Sequence, residues 1–211
     1  MPPSAGPGPV IEWVRAGSYD ACCLDFGGTL FDFAPVHVAA FKYAVGALGH
    51  DWSPSAAPPI IHEALDRGVD SVAMAASLVE ALGIDADPFE LARVKRGIVE
   101  RLIAGSLLDP AMCALLTSLH ACVRLAVVTR GLASSTRDIL ERSLPSGLAA
   151  NVRVYGRSDL RARPDKRGLL GAAIADLGAA ADRVVYIADA QGDAAIAADL
   201  GLGFLCFRPF A

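Results

Sequence analysis

No apolar run in this 211-residue chain reaches the roughly 18 residues that a membrane-spanning helix needs, because His120 and Arg124 interrupt the longest one. No membrane contact is therefore expected. Positive charge is not in excess either: 19 Lys and Arg stand against 23 Asp and Glu, a formal net charge of −4. That balance leaves no electrostatic footprint for nucleic acid or anionic lipid, so an anionic ligand has to be met locally, by a metal or by a few placed basic side chains. Cys-x-x-Cys spacing is missing as well. The five cysteines (Cys22, Cys23, Cys113, Cys122 and Cys206) are odd in number and mostly sit in apolar runs, where they read as small core residues of a protein kept in a reducing cytosol. The first ten residues lack the basic and apolar regions of a signal peptide, and their Pro and Gly content reads as a disordered arm. Lysine is rare beside Ala, Arg and Gly, a composition that points to a GC-rich bacterial genome and, with the cysteines, to a cytoplasmic protein.

What is present suffices for a folded core. Hydrophobic residues make up 54% and charged residues 20%, which fits one domain, or one domain carrying a smaller insertion. The most informative stretch runs from Asp20 to Asp32. Ala21 to Leu24 reads as a buried parallel strand that ends on the carboxylate of Asp25, followed by Phe26, Gly27, Gly28 and Thr29. In open α/β sheets, ligands bind at the carboxyl ends of strands, where loops leave the sheet and helix N-termini converge. The glycines let the backbone approach an anion, and the Thr29 hydroxyl can hold the loop.

After Asp32, about ninety residues carry no strand pattern. Helical periodicity runs over Val36 to Leu48, Pro59 to Asp66, Val69 to Leu82 and Pro88 to Ile103. Asp87 and Pro88 open the last helix as N-cap and first helical residue. A helix from Asp109 to about Ala121 leads to an apolar strand, Val123 to Val128, ending in Thr129, Arg130 and Gly131, and a helix from Ala133 to Leu144 follows. Further strands are expected at Val152 to Tyr155, Arg183 to Ala188 and Gly203 to Phe207, with a helix over Gly168 to Leu177. Residues 11 to 18 read as a short strand or lead-in. The order predicts an α/β fold: a Rossmann-like, doubly wound parallel sheet with an inserted all-α segment.

Asp25-Phe26-Gly27-Gly28-Thr29 resembles the first motif of the haloacid dehalogenase (HAD) superfamily, Asp-x-Asp-Gly-Thr, with Gly27 in place of the second Asp. The resemblance extends over nearly the whole chain. Thr129, at a strand end before a helix, matches the second motif, and Asp189 with Asp193 matches the fourth, with Ala188 where a glycine is usual. A basic residue belongs to the third motif, and both Arg163, before Pro164, and Lys166 fit it. The resemblance implies a core of residues 19–32 and 106–211, an N-terminal arm and lead-in over 1–18, and a helical C1-type cap over 33–105. It implies Asp25 as nucleophile, with Thr129 and Arg163 or Lys166 as further catalytic residues and Gly28, Thr29, Arg130 and Gly131 binding phosphate. A Mg²⁺ ion would be held by Asp25, the carbonyl of Gly27, Asp189 and Asp193. A hard cation that favours oxygen ligands suits that donor set.

The family resemblance further implies a phosphatase of a small phosphorylated metabolite. The missing second Asp serves as general acid and base in the phosphatase members, so slow turnover, a catalytically impaired binding or scaffold protein, and a non-hydrolytic member are all compatible with the chain. Asp32, His37 and His62 are the candidates to replace it. Phosphonoacetaldehyde hydrolases carry Ala there and use a cap lysine, but neither Lys42 nor Lys95 lies near the expected cap break at Arg67 and Gly68.

Overall fold

The computed structural model describes residues 7–67, 69–158 and 165–210. In chain order the elements are α1 (Pro7–Ala16), β1 (Ala21–Asp25), α2 (Ala34–Ala47), α3 (Ala57–Asp66), α4 (Ser71–Leu82), α5 (Pro88–Ile103), α6 (Pro110–His120) and β2 (Arg124–Leu132). They continue with α7 (Ala133–Ser143), α8 (Ser146–Asn151), β3 (Arg153–Arg157), α9 (Lys166–Leu177), β4 (Val184–Ala188), α10 (Asp193–Asp199) and β5 (Gly203–Cys206). They form two compact units. One runs up to Phe31 and resumes at Gly105, and the other is Asp32–Ala104.

The first unit is built on a five-stranded parallel sheet of order β3-β2-β1-β4-β5. From the central β1 the chain passes to β2 and β3 on one side and to β4 and β5 on the other. The direction of winding therefore reverses between β1 and β4, and in open α/β sheets ligands bind at such a reversal, at the carboxyl ends of the strands. Strand residues alternate between faces. Ala21, Cys23, Ala126, Val128, Val184, Tyr186 and Ala188 share one buried face with Leu170, Ala173 and Leu177 of α9 and Ala197 of α10. Cys22, Leu24, Leu125, Val127, Val185 and Ile187 point the other way and are also buried, as a sheet covered on both sides requires.

Two parts of this unit differ from expectation. Residues 11 to 18 form no strand: α1 is a helix that begins at Pro7, so residues 7–10 are not part of an arm, whose first six residues lie outside those described. Pro is tolerated at a first helical position, and Val10 and Val14, one turn apart, supply the buried stripe against α6. Strand β2 also runs past Val128 to Leu132, with an irregularity in its pairing to β3 between those two residues. Such a bulge bends a strand end and re-aims its side chains.

The second unit consists of α2 to α5, which pack in the pairs α2 with α5, α4 with α5, α3 with α4 and α2 with α3. All four helices are those the periodicity predicts, shifted by two residues at three of their starts and by one at the end of α2. Asp70 accepts from the N–H groups of Val72 and Ala73, and Asp87 from that of Phe89, which satisfies donors left open at the first turns of α4 and α5. Gly83 closes α4 in the left-handed conformation, φ 61°. Phe41, Met74, Leu78 and Leu91 fill the interior. Lys95 is buried among them, its Nζ 3.2 Å from Ser71 Oγ and 5.1 Å from the Phe41 ring centroid. No helix among the described residues is long and apolar enough to cross a membrane.

Candidate active site

Strand β1 ends on Asp25, which is 8% exposed. Lys166 Nζ lies 3.0 Å from its Oδ2 and 2.6 Å from Asp193 Oδ2, and the lysine is itself buried. Lys166 is the first residue of α9, whose cap Asp165 accepts from Arg167 N–H at 3.3 Å. Tyr186, in the middle of β4, donates its hydroxyl to the same Asp193 oxygen at 3.2 Å. A single ammonium thus links the ends of β1 and α10. Among the described residues no donor engages Asp25 Oδ1.

The loop after Asp25 is fixed by its own backbone. Leu30 and Phe31 N–H groups both donate to Phe26 O at 2.9 Å, Gly28 N–H donates to Phe31 O at 2.9 Å, and Gly27 forms a bridge with Phe31. Gly28 has φ +81°, and a Cβ there would collide with the Asp189 carboxylate, 2.6 Å from its Cγ. Only glycine therefore allows Asp189, just past the end of β4, to lie against this loop. Thr29, fully buried, donates to Asp189 Oδ1 at 3.5 Å. Behind it, Arg208 Nε and Cys206 Sγ donate to the Asp189 carbonyl at 2.7 and 3.6 Å.

On the β2 side, Thr129 Oγ1 accepts from Gly131 N–H at 2.9 Å and is 5% exposed. Gly156 of β3 packs so closely that a Cβ on it would stand 2.8 Å from Thr129 Cγ2 and 2.9 Å from Gly131 O. Arg130 is exposed, and its carbonyl accepts from Arg157 Nε at 2.5 Å.

Among the described residues the site has more acid than base. Burial, opposed by Lys166 and reinforced by Asp193 and Asp189, pushes the Asp25 carboxyl from 3.8 up to about 6. Burial also raises Asp189. Because Asp25 holds its proton to higher pH in the folded state than in the unfolded one, its contribution to stability falls as pH rises from about 4 through about 6. In chelator, Asp25→Asn is thus expected to be more stable than wild type by about 1 to 3 kcal/mol at pH 7.5, a gap that closes near pH 4. Urea titrations at the two pH values check this, and a gap that widened toward acid would contradict it.

Of the residues that the sequence singled out, the structure brings together Asp25, Lys166 and Asp193 directly, and Gly28, Thr29 and Asp189 beside them. Arg163 lies outside the described residues. Asp32 Oδ1 accepts from Ala34 N–H at 3.0 Å, at the start of α2. Burial, and secondarily the charge of Lys95, push His37 down to about 3, and its Nδ1 is buried without a hydrogen-bond partner. His62 is exposed on α3. Tyr186, Cys206 and Arg208 were missed. A phenol within the otherwise aliphatic run Val184 to Ala188 was the available signal for the first, since a buried tyrosine hydroxyl needs a partner.

No three His, Cys, Asp or Glu side chains among the described residues converge as a metal-holding group. Two carboxylates with a backbone carbonyl, the remaining positions being water, is nevertheless a donor set that Mg²⁺ accepts. Among the described residues Asp25, Asp189 and Asp193 stand against Lys166 and Arg208, a local charge that fits a cation.

The haloacid dehalogenase-like hydrolase family matches residues 19–201, and the chain belongs to that family. None of the curated proteins matches it. Among solved structures it is similar to a haloacid dehalogenase-like hydrolase family protein from Streptococcus pneumoniae, at 22% identity and TM-score 0.71, covering 90% of this chain and 84% of that one. It is also similar to CbbY from Rhodobacter sphaeroides, solved in complex with phosphate, at 20% identity and TM-score 0.62, covering 88% and 84%. YfnB from Bacillus subtilis, solved bound to magnesium, is 16% identical with a TM-score of 0.66, covering 91% and 90%. At these identities the likenesses establish the fold.

Proposed function

We propose that this hydrolase is a Mg²⁺-dependent phosphatase of a small phosphorylated metabolite, cytoplasmic and bacterial, that works through an aspartyl-phosphate on Asp25. The observation that carries the reading is the chain of contacts from Asp25 to Lys166 to Asp193, with Asp189 against Gly28 at the same sheet end. The phosphate and magnesium complexes of CbbY and YfnB are in keeping with it, as are five cysteines that all remain free thiols.

Lys166 occupies Oδ2 of Asp25, which leaves Oδ1 to attack phosphorus. The new Oδ1–P bond forms as the bond to the leaving oxygen breaks, and that oxygen takes a proton from water. Water then attacks phosphorus and releases phosphate, restoring the carboxylate. Lys166 lowers the repulsion between carboxylate and phosphoryl oxygens, while the Thr129 hydroxyl and the N–H groups of Thr29 and Arg130 orient the anion. The N–H groups of Gly28 and Gly131, given to Phe31 O and Thr129 Oγ1, hold the two loops in shape. The residues suited to Mg²⁺ are Asp25, Asp189 and the Gly27 carbonyl, and the ion when bound supplies further neutralisation of phosphoryl charge. Asp193, already engaged by Lys166 and Tyr186, serves the lysine. The second unit acts as the cap that selects substrate.

One observation favours an alternative, a binding protein with impaired catalysis. With Gly27 in place of the general acid and base, Asp32 accepts from Ala34 N–H at the start of α2, His37 is neutral at physiological pH, and His62 is solvent-exposed. Release of phosphate from p-nitrophenyl phosphate, with and without Mg²⁺, separates the two. The phosphatase reading requires metal-dependent release that disappears in Asp25→Asn, and activity absent in both proteins would favour the binding protein.

A further inference from the structure

Lys166 occupies an awkward position for a cation. As the first residue of α9 it sits at the positive end of the helix, where aligned peptide dipoles disfavour an ammonium, and it is 8% exposed. A flexible four-carbon stem in such a place needs something that fixes where its charge is held.

We propose that Tyr186 is a positioning residue for Lys166, acting through Asp193. The phenol is fully buried and rises from β4 on the α9 face of the sheet, in a strand whose other members are Val, Ile and Ala. A hydroxyl there is costly unless paired, and its partner is Asp193 Oδ2 at 3.2 Å, the oxygen that also receives Lys166 Nζ at 2.6 Å. The same ring passes 5.6 Å from the ammonium, within range of a cation–π attraction. Phe204 of β5 supports the ring, with centroids 6.2 Å apart. Tyr186 therefore contributes twice: its hydroxyl holds the orientation of Asp193, and its face lies beside the charge that Asp193 holds. The relay Tyr186–Asp193–Lys166–Asp25 links the interior of the sheet to the nucleophile. Without the hydroxyl, Asp193 Oδ2 keeps only the lysine among the described residues, the carboxylate can turn, and the ammonium turns with it.

The relation to catalysis rests on the phosphatase reading, but the placement of Lys166 does not, and the two are tested by separate readouts. Lys42, Lys95 and Lys166 are the only lysines of the chain, so protein labelled with ¹⁵N-lysine gives at most three ammonium signals, and Lys166→Arg identifies the one of interest. Tyr186→Phe keeps the ring and removes the hydroxyl, and circular dichroism checks that the variant is folded. The expected result is hydrogen exchange at the Lys166 ammonium about tenfold faster than in wild type, with kcat for p-nitrophenyl phosphate about tenfold lower and KM within about twofold. In a Lys166→Met background the same substitution should leave kcat unchanged, because the group it positions is gone. Ammonium exchange at the wild-type rate in folded Tyr186→Phe would overturn the proposal, and so would an equal loss of kcat in the Lys166→Met background. If wild type releases no phosphate, the reaction assigned above fails, while the ammonium exchange still decides the role of Tyr186.

Discussion

Asp25→Asn is expected to release phosphate from p-nitrophenyl phosphate at least about 10⁴-fold more slowly than wild type at saturating Mg²⁺. The amide has the shape of the carboxylate and can still accept from Lys166, so the fold should stand, but it carries neither the charge nor the nucleophilicity to attack phosphorus. The size of the effect distinguishes covalent catalysis from mere binding. If Asp25 only helped to hold an anion, losing one negative charge beside Lys166 would relieve repulsion and improve binding. A stopped assay sensitive to 10⁻⁴ of the wild-type rate, run beside an unfolding curve, checks both statements. A residual rate above about one hundredth would remove Asp25 from the role of nucleophile.

Gly27→Asp should act in the opposite direction, and unequally on different substrates. Protonation of a departing oxygen by a placed acid contributes about 10²- to 10⁴-fold. An alkyl phosphate, whose alkoxide is a poor leaving group, should gain toward the upper end of that range. An aryl phosphate should gain less, since a phenolate departs with little help. Steady-state rates for glycerol phosphate and p-nitrophenyl phosphate in the two proteins measure the difference. Equal gains would place the missing function in the hydrolysis of the aspartyl-phosphate, a step common to both substrates. No gain at all would mean that another group already moves the proton.

Much of this could be read from the sequence, for identifiable reasons. Helix α5 begins and ends where expected because Asp87 and Pro88 make its start a local matter. The strand carrying Asp25 stood out because an apolar run stops on a charge followed by two glycines. The choice between Arg163 and Lys166 could not be made that way. Whether a side chain at a helix start points toward a strand end depends on how α9 lies on the sheet, and the helix begins at Lys166, two residues before the expected Gly168. The spacing of Asp193 from Asp189 is all that the sequence displays of it; its contacts with Lys166 and Tyr186 come from α9 and β4 and have no local signature. Helix α1 was missed because the density of Pro and Gly before it outweighed a stripe of only two valines. The irregularity in β2 lies beyond any local rule, since it appears only in the pairing with β3.

The central claim is that Asp25 and Asp189 share one divalent ion at the carboxyl end of the sheet. Crystals grown with Mn²⁺ in place of Mg²⁺ and a phosphate mimic, measured at the manganese edge, test it most directly. A single anomalous peak in contact with both carboxylates, with Asp193 still on Lys166, is the predicted result. A peak bound away from either residue, or none at saturating Mn²⁺, would contradict it.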